Sequence, residues 1–205
     1  PKAIRWDRAM KKKMDMFFQW KSMGAGAYIP IIILLLISGY TYFNRSLLNF
    51  MYNVLPMIEL IVPLQGLWWI VFIFINDLEE EGSETIFSYP VKRYKLGIVR
   101  VIKFIILYLV LVLLLVYSFN FYVEIGDINL NTLAMWLCTW SFCVSSMAFA
   151  FMTITSSSAA TIAIVIGIWC LQGILSFKSI FVLLLIGIIS LILGQKFLDS
   201  YKDFK

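Results

Sequence analysis

Six apolar stretches, each about as long as a bilayer is thick, are joined by short polar connections. That spacing limits what this chain can fold into more than any other feature. The stretches run over 27–43, 54–76, 98–122, 131–153, 159–175 and 179–197. A helix needs roughly 20 residues to cross the hydrocarbon core, and in lipid each backbone polar group must be satisfied within the segment. A β-barrel would need ten-residue strands of alternating polarity, and the sequence has none. The expected fold class is therefore an all-α membrane protein with six transmembrane helices, forming a single domain over 1–205. Charged residues are only 14% of the chain, against about 25% in soluble domains.

The basic residues set the expected orientation. Seven lie before the first stretch (Lys2, Arg5, Arg8, Lys11, Lys12, Lys13, Lys21), and five at the second connection (Lys92, Arg93, Lys95, Arg100, Lys103). Three more are in the tail (Lys196, Lys202, Lys205), leaving Arg45 and Lys178 for the opposite side. Fifteen against two predicts cytoplasmic N- and C-termini for a multi-pass protein of a cell membrane, expected to be a bacterial plasma membrane. The formal charge of +5 then reflects topology and contact with anionic lipid, and no nucleic-acid partner is expected.

The start of the chain does not read as a cleaved signal peptide. Gly24, Ala25, Gly26 and Ala27 precede the apolar run, whereas a cleavage site follows one. The chain opens on Pro1 rather than Met and is not taken as the whole gene product. Over 1–24, Ala3, Trp6, Met10, Met14 and Phe17 recur at helical steps while Arg5, Arg8, Lys12, Asp15 and Gln19 share another face. This predicts an amphipathic helix lying in the headgroup plane.

The connection between the second and third stretches is the most charged part of the chain. Asp77, Glu79, Glu80, Glu81 and Glu84 come first, and Lys92, Arg93, Lys95 and Arg100 follow. Asp77 with Glu80 could cap one helical turn, and Ser83 after Gly82 a second. That second helix can run only from Glu84 to about Ser88, because the residue before Pro90 is pushed out of helical geometry. Pro90 suits the first turn of the next helix. A solvated loop obeying the positive-inside rule would explain the bases, but neither the five acids nor this punctuation.

The run Glu81-Gly82-Ser83-Glu84-Thr85, then Ser88-Tyr89-Pro90-Val91-Lys92-Arg93, then Arg100, resembles the cytoplasmic coupling segment of type-2 ABC-transporter permeases. That family's pattern is an acid, Gly, a small hydroxyl residue and Glu, then Pro and Arg three apart, then a base in the next span. Lys92 departs from it, standing where Ser or Thr is common. A second departure lies between the last two stretches. Only Gln172 to Lys178 is available for the longer extracellular element common in the family, so no extracellular gate is assigned. The resemblance implies the membrane subunit of an ATP-driven exporter, paired with a second permease subunit as a homo- or heterodimer and served by separate P-loop ATPase subunits. The coupling segment would be 77–95, with Asp77, Glu80, Glu81, Gly82, Ser83, Glu84, Thr85, Phe87, Tyr89, Pro90 and Arg93 meeting the ATPase. No GxxxxGK[ST] loop is present, so ATP and Mg would be held by the partner, with no cofactor and no catalytic residue on this chain.

The second stretch carries Pro56, Pro63 and, as a third irregular point, Gly66, which together predict a bend in its outer half. It also carries Glu59, either solvated near the outer boundary or part of a pathway. Glu59, Trp68, Trp69 and Phe72, with Phe74 nearby, form the candidate substrate pathway, and Trp68 and Trp69 suit either packing or a cavity wall. An apolar, aromatic lining suits hydrophobic or amphipathic cargo: a peptide, an antimicrobial or another toxic compound. Tyr28, Tyr40, Tyr42, Tyr52, Trp136, Trp140 and Tyr201 sit near stretch ends, as an aromatic belt would. Thr153, Thr155, Ser156, Ser157 and Ser158 make a polar break that reads as a tight turn or a close packing site.

Other classes have less support. Cys138, Cys143 and Cys170 lie in apolar stretches without metal or redox spacing and read as packing residues, so no metal site is expected. An ion-coupled secondary transporter or channel would bury several ionisable groups at mid-membrane, and this chain offers Glu59 and no histidine. A membrane enzyme has no Ser-His pair to work with. A non-transporting immunity or scaffold protein stays open.

Overall fold

The computed structural model describes residues 19–21, 23–78, 93–121, 123, 129–175 and 179–200. Among them the chain is helical, with no strand. A 3₁₀ turn, Gly24–Tyr28, leads into α1 (Ile29–Phe43), with Pro30 in its first turn. A single helical turn, Leu47–Asn49, and a π-helical turn, Phe50–Val54, open α2 (Leu55–Leu78). A short helix α3 (Arg93–Leu96) and Gly97 precede α4 (Ile98–Ser118). Then come α5 (Leu130–Thr155), α6 (Ser158–Leu175) and α7 (Ile180–Ser200).

Among the described residues, five helices are long and apolar enough to cross a membrane: Gly24–Phe43, Leu47–Ile75, Ile98–Phe121, Leu130–Thr155 and Ile180–Ser200. Ser158–Cys170 is a shorter apolar helix. The second of the five begins at Leu47, ahead of the expected residue 54; the other boundaries fall within a few residues of the expected stretches, because long unbroken apolar runs leave a helix few places to stop. Only residues 176–179 separate α6 from α7. The all-α membrane class therefore holds.

α5 is the axis. It packs against α7, α2, α4 and α6, and its sequence explains why. Lipid is as apolar as leucine, so helices associate where small residues let backbones approach. Ser141, Ser145, Ser146, Ala148 and Ala150 are all buried on α5. Gly194 of α7 lies so close that an added Cβ would come within 2.6 Å of Phe149 and 3.2 Å of the Ala150 Cα. Gly187 approaches Phe142 in the same way, at 2.5 Å. Several hydroxyls are satisfied within the helix: Thr139 donates to Met135 O at 2.8 Å, Ser146 to Phe142 O at 2.7 Å and Thr153 to Ala150 O at 2.8 Å. Asn129 caps the start, accepting from the Asn131 and Thr132 amides at 3.0 and 3.2 Å.

Two expectations need correction. Gly66 is not an irregular point, since α2 runs unbroken through it. Its missing side chain instead admits Ser145 of α5 and the Tyr108 ring of α4, whose atoms an added Cβ would meet. The irregularity sits earlier, at the π turn ahead of Pro56. Pro63 lies inside α2, and the Tyr108 hydroxyl donates to the neighbouring Val62 carbonyl. The aromatic belt is also smaller than expected. Tyr28, Tyr40, Tyr42 and Tyr52 are exposed, but Trp140 is buried edge-on against Trp169, at 4.7 Å between rings. The polar break between α5 and α6 is a tight turn: Ser156 takes φ 51°, and Thr161 donates to Ser157 O at 2.7 Å.

Candidate functional site

Contacts between elements fix which ends of the helices lie together. Phe50 meets Phe119 at 5.5 Å, and Tyr117 donates to Asn131 at 2.9 Å, so these form one end of the bundle. At the other end Phe74 meets Phe149 at 5.3 Å, and Gly194 abuts Phe149 and Ala150. That second end carries both flanks of the charged connection, the Gly24–Tyr28 turn, the Ser156 turn and the last turns of α7. Of the described basic residues, Lys21, Arg93, Lys95, Arg100, Lys103 and Lys196 belong to it, whereas Arg45 follows α1 at the opposite end.

Glu79 to Lys92 lie outside the described residues, and with them the expected contacts of Glu80, Glu81, Gly82, Ser83, Glu84, Thr85, Phe87, Tyr89 and Pro90. Asp77 lies in the last turn of α2, and Arg93 opens α3. The amphipathic pattern over 1–24 is described only from residue 19 onward, where 19–21 are helical.

The aromatic residues of α2 hold the chain's entry into the bundle. Trp68 donates its indole N–H to Gly26 O at 3.2 Å, and Trp69 donates to Ala27 O at 2.9 Å. Adjacent residues on α2 thus grip adjacent carbonyls of the 3₁₀ turn, just after Gly24 turns the backbone at φ +57°. Phe72 stacks on Trp68 at 5.0 Å and lies against Gly26, where a Cβ would come within 2.9 Å of its ring. Trp69 is 1% exposed, ringed edge-on by Trp20 at 5.0 Å, Tyr108 at 5.8 Å and Phe104 at 6.1 Å. Trp69 and the buried Phe74 are interior packing within this chain. Trp68 and Phe72 are half-buried. Glu59 is exposed near the far end of α2, nine residues from Trp68, or roughly 13 Å of helical rise. The structure does not bring it together with the aromatic cluster.

A second joint lies where the charged connection re-enters the bundle. Gly97 is out of helical geometry at φ −91° and ψ −102°, and it has no side chain to cap α4. The cap comes from another helix: Gln195 of α7 accepts from the Ile98 amide at 2.9 Å. One turn on, Arg100 donates to Ile73 O of α2 at 3.0 Å, with its guanidinium 5.3 Å from the Phe74 ring centre. Sequence reasoning singled out Arg100 but missed Gln195 and Gly97. A lone amide near the end of an apolar run reads as the helix reaching water, and its partner lies 97 residues away.

Both joints tie one helical element to another through indole, backbone-amide and guanidinium donors. Cys138, Cys143 and Cys170 are free, and no group of three His, Cys, Asp or Glu among the described residues could hold a metal ion. No known protein family, curated protein or solved structure matches the chain.

Proposed function

We propose that this chain is the membrane subunit of an ATP-driven exporter: a six-helix permease, with α6 as its remaining span, that pairs with a second permease subunit and is driven by separate P-loop ATPase subunits. The observation that carries the reading is the acid-then-base pattern from Asp77 to Arg100. The structure lends it a setting, because both flanks of that connection leave the same end of the bundle as the Gly24–Tyr28 turn and the last turns of α7. The positive-inside rule makes that end cytoplasmic, where an ATPase would dock. Closure of the ATPase pair on ATP would push the connection, and α2 and α4, continuous with its two ends, would pass the displacement into the bilayer. The half-buried Trp68 and Phe72 leave an aromatic face for hydrophobic or amphipathic cargo, most simply a peptide or another toxic compound.

The test is co-purification with a P-loop ATPase encoded beside it. Glu84→Lys and Arg93→Glu each reverse a charge in the connection and are expected to leave membrane insertion intact while the ATPase is lost. Unchanged recovery of the ATPase with both variants overturns the reading. A non-transporting immunity or scaffold role would show as a bound ATPase whose turnover no cargo stimulates.

A further inference from the structure

The Gly97 joint belongs to a closed ring of contacts through four helices. Gln195 of α7 holds the Ile98 amide of α4, and Arg100 holds α2 through Ile73 O and Phe74. Phe74 lies on Phe149 of α5, and Phe149 lies on Gly194, the residue beside Gln195. Gly97 is buried, and a side chain there would run into Gln195 and come within 2.6 Å of Leu198. Leu198 is 2% exposed, so the last helix fills this corner rather than skirting it. The Gln195 amide is itself oriented, because its Nε2 donates to Asp199 at 2.9 Å one turn along α7.

Covalent continuity alone would tie α3 to α4. The backbone at Gly97 breaks the helical continuity, however, and a helix start without a cap of its own is a place where a chain bends. We infer that Gln195 is a positioning residue that fastens the α3–α4 junction to α7, so that α3 and the last helix move as one body. For its functional consequence this rests on the coupling reading above. A push arriving through Arg93–Leu96 would then be shared between α4 and α7, giving the connection a third output helix that is distant in sequence. Gly97 is needed because only glycine lets α7 come close enough for the amide to reach. Asp199 is needed because it aims the amide oxygen at Ile98.

The test uses the full chain in phosphatidylcholine–phosphatidylglycerol nanodiscs, with Cys138, Cys143 and Cys170 replaced by alanine. Spin labels go on Tyr94→Cys, in α3, and Phe181→Cys, at the far end of α7; both native side chains are exposed. The parent should give one narrow distance distribution. Gln195→Leu keeps the bulk but removes the acceptor, and it is expected to raise the detached population roughly fivefold, the equivalent of about 1 kcal/mol for one hydrogen bond. The pair Gln195→Glu with Asp199→Asn exchanges donor and acceptor, preserves both hydrogen bonds and is expected to restore the narrow distribution. A parent-like distribution for Gln195→Leu overturns the inference. So does broadening that the exchanged pair leaves uncorrected, since the loss would then be one of packing. No ATPase is present, so these outcomes stand whether or not the ATPase binds Glu84→Lys. Loss of docking with a sound joint, or the reverse, separates the two readings.

Discussion

The central helix and the last helix are both long apolar rods, yet they occupy opposite environments. Over its most apolar 18 residues α5 is 78% buried, against 22% for α7. The more hydrophobic of the two is the one left outside. α7 turns Leu185, Ile188, Ile189, Ile192 and Leu193 outward and keeps only a narrow seam, with Leu183, Gly187, Ser190, Leu191, Gly194 and Leu198, against its neighbours. α5 instead buries serines, alanines and threonines along nearly its whole length. In water that pattern would be inverted. In lipid, apolar bulk gains nothing by leaving the solvent, so what decides position is how closely a backbone can approach another. Small and hydroxyl residues let α5 approach its neighbours closely, with Leu133, Leu137, Phe149 and Met152 buried among them, while the outward leucines and isoleucines of α7 mark the rim.

The comparison breaks most severely at Gly66, where α2 and α5 meet. Gly66→Leu would drive a side chain into Ser145 and Tyr108 and is expected to cost about 3 kcal/mol. It should be read as loss of monodisperse protein on heating in detergent. Gly66→Ala should do less harm, and Ser145→Ala beside it should recover most of the loss, because the pair shares one contact. If Gly66→Leu behaves like the parent, close approach does not organise this core. A milder challenge is Leu137→Ala on α5. Leu137 is 0% exposed, and its loss leaves a cavity that costs about 2 kcal/mol by lost packing. The same heating experiment reads it, and a shift no larger than that of a rim substitution would contradict the assigned centre.

The helices themselves were legible in the sequence because membrane helices are set by length and hydropathy, which one chain carries in full. The expected stretches 98–122 and 131–153 met helices at Ile98–Phe121 and Leu130–Thr155. Depth within the bundle was not legible. Trp140 reads as a belt residue, yet it lies well inside α5, where it is buried edge-on against Trp136 and Trp169. Gly66 reads as a weakness in α2 because sequence shows the absent side chain but not the serine that fills the space. The site divides the same way. The tryptophan pair stands out as a pair, while its two carbonyl acceptors lie 42 residues earlier and carry no side-chain signature at all. Gln195 is quieter still, one amide at the end of a leucine-rich run, whose meaning depends on a glycine between two other helices.

The smallest effect is the sharpest test of the argument from lipid. Leu185 is 58% exposed on the outer face of α7, and in a soluble protein an apolar patch of this kind would mark a docking surface or an aggregation hazard. Leu185→Ala removes the same atoms as Leu137→Ala, so the chemistry is constant and only the surroundings differ. If acyl chains cover this face, they follow the trimmed surface and leave no cavity, and the cost is expected to stay below about 0.5 kcal/mol. If a second copy of the chain covers it, the trimmed side chain leaves a void between two rigid helices, and the heating experiment should show a loss closer to that of Leu137→Ala. The pair of leucines therefore reports which neighbour each helix has: a fourfold or larger gap between them assigns α7's outer face to lipid, and near equality assigns it to protein.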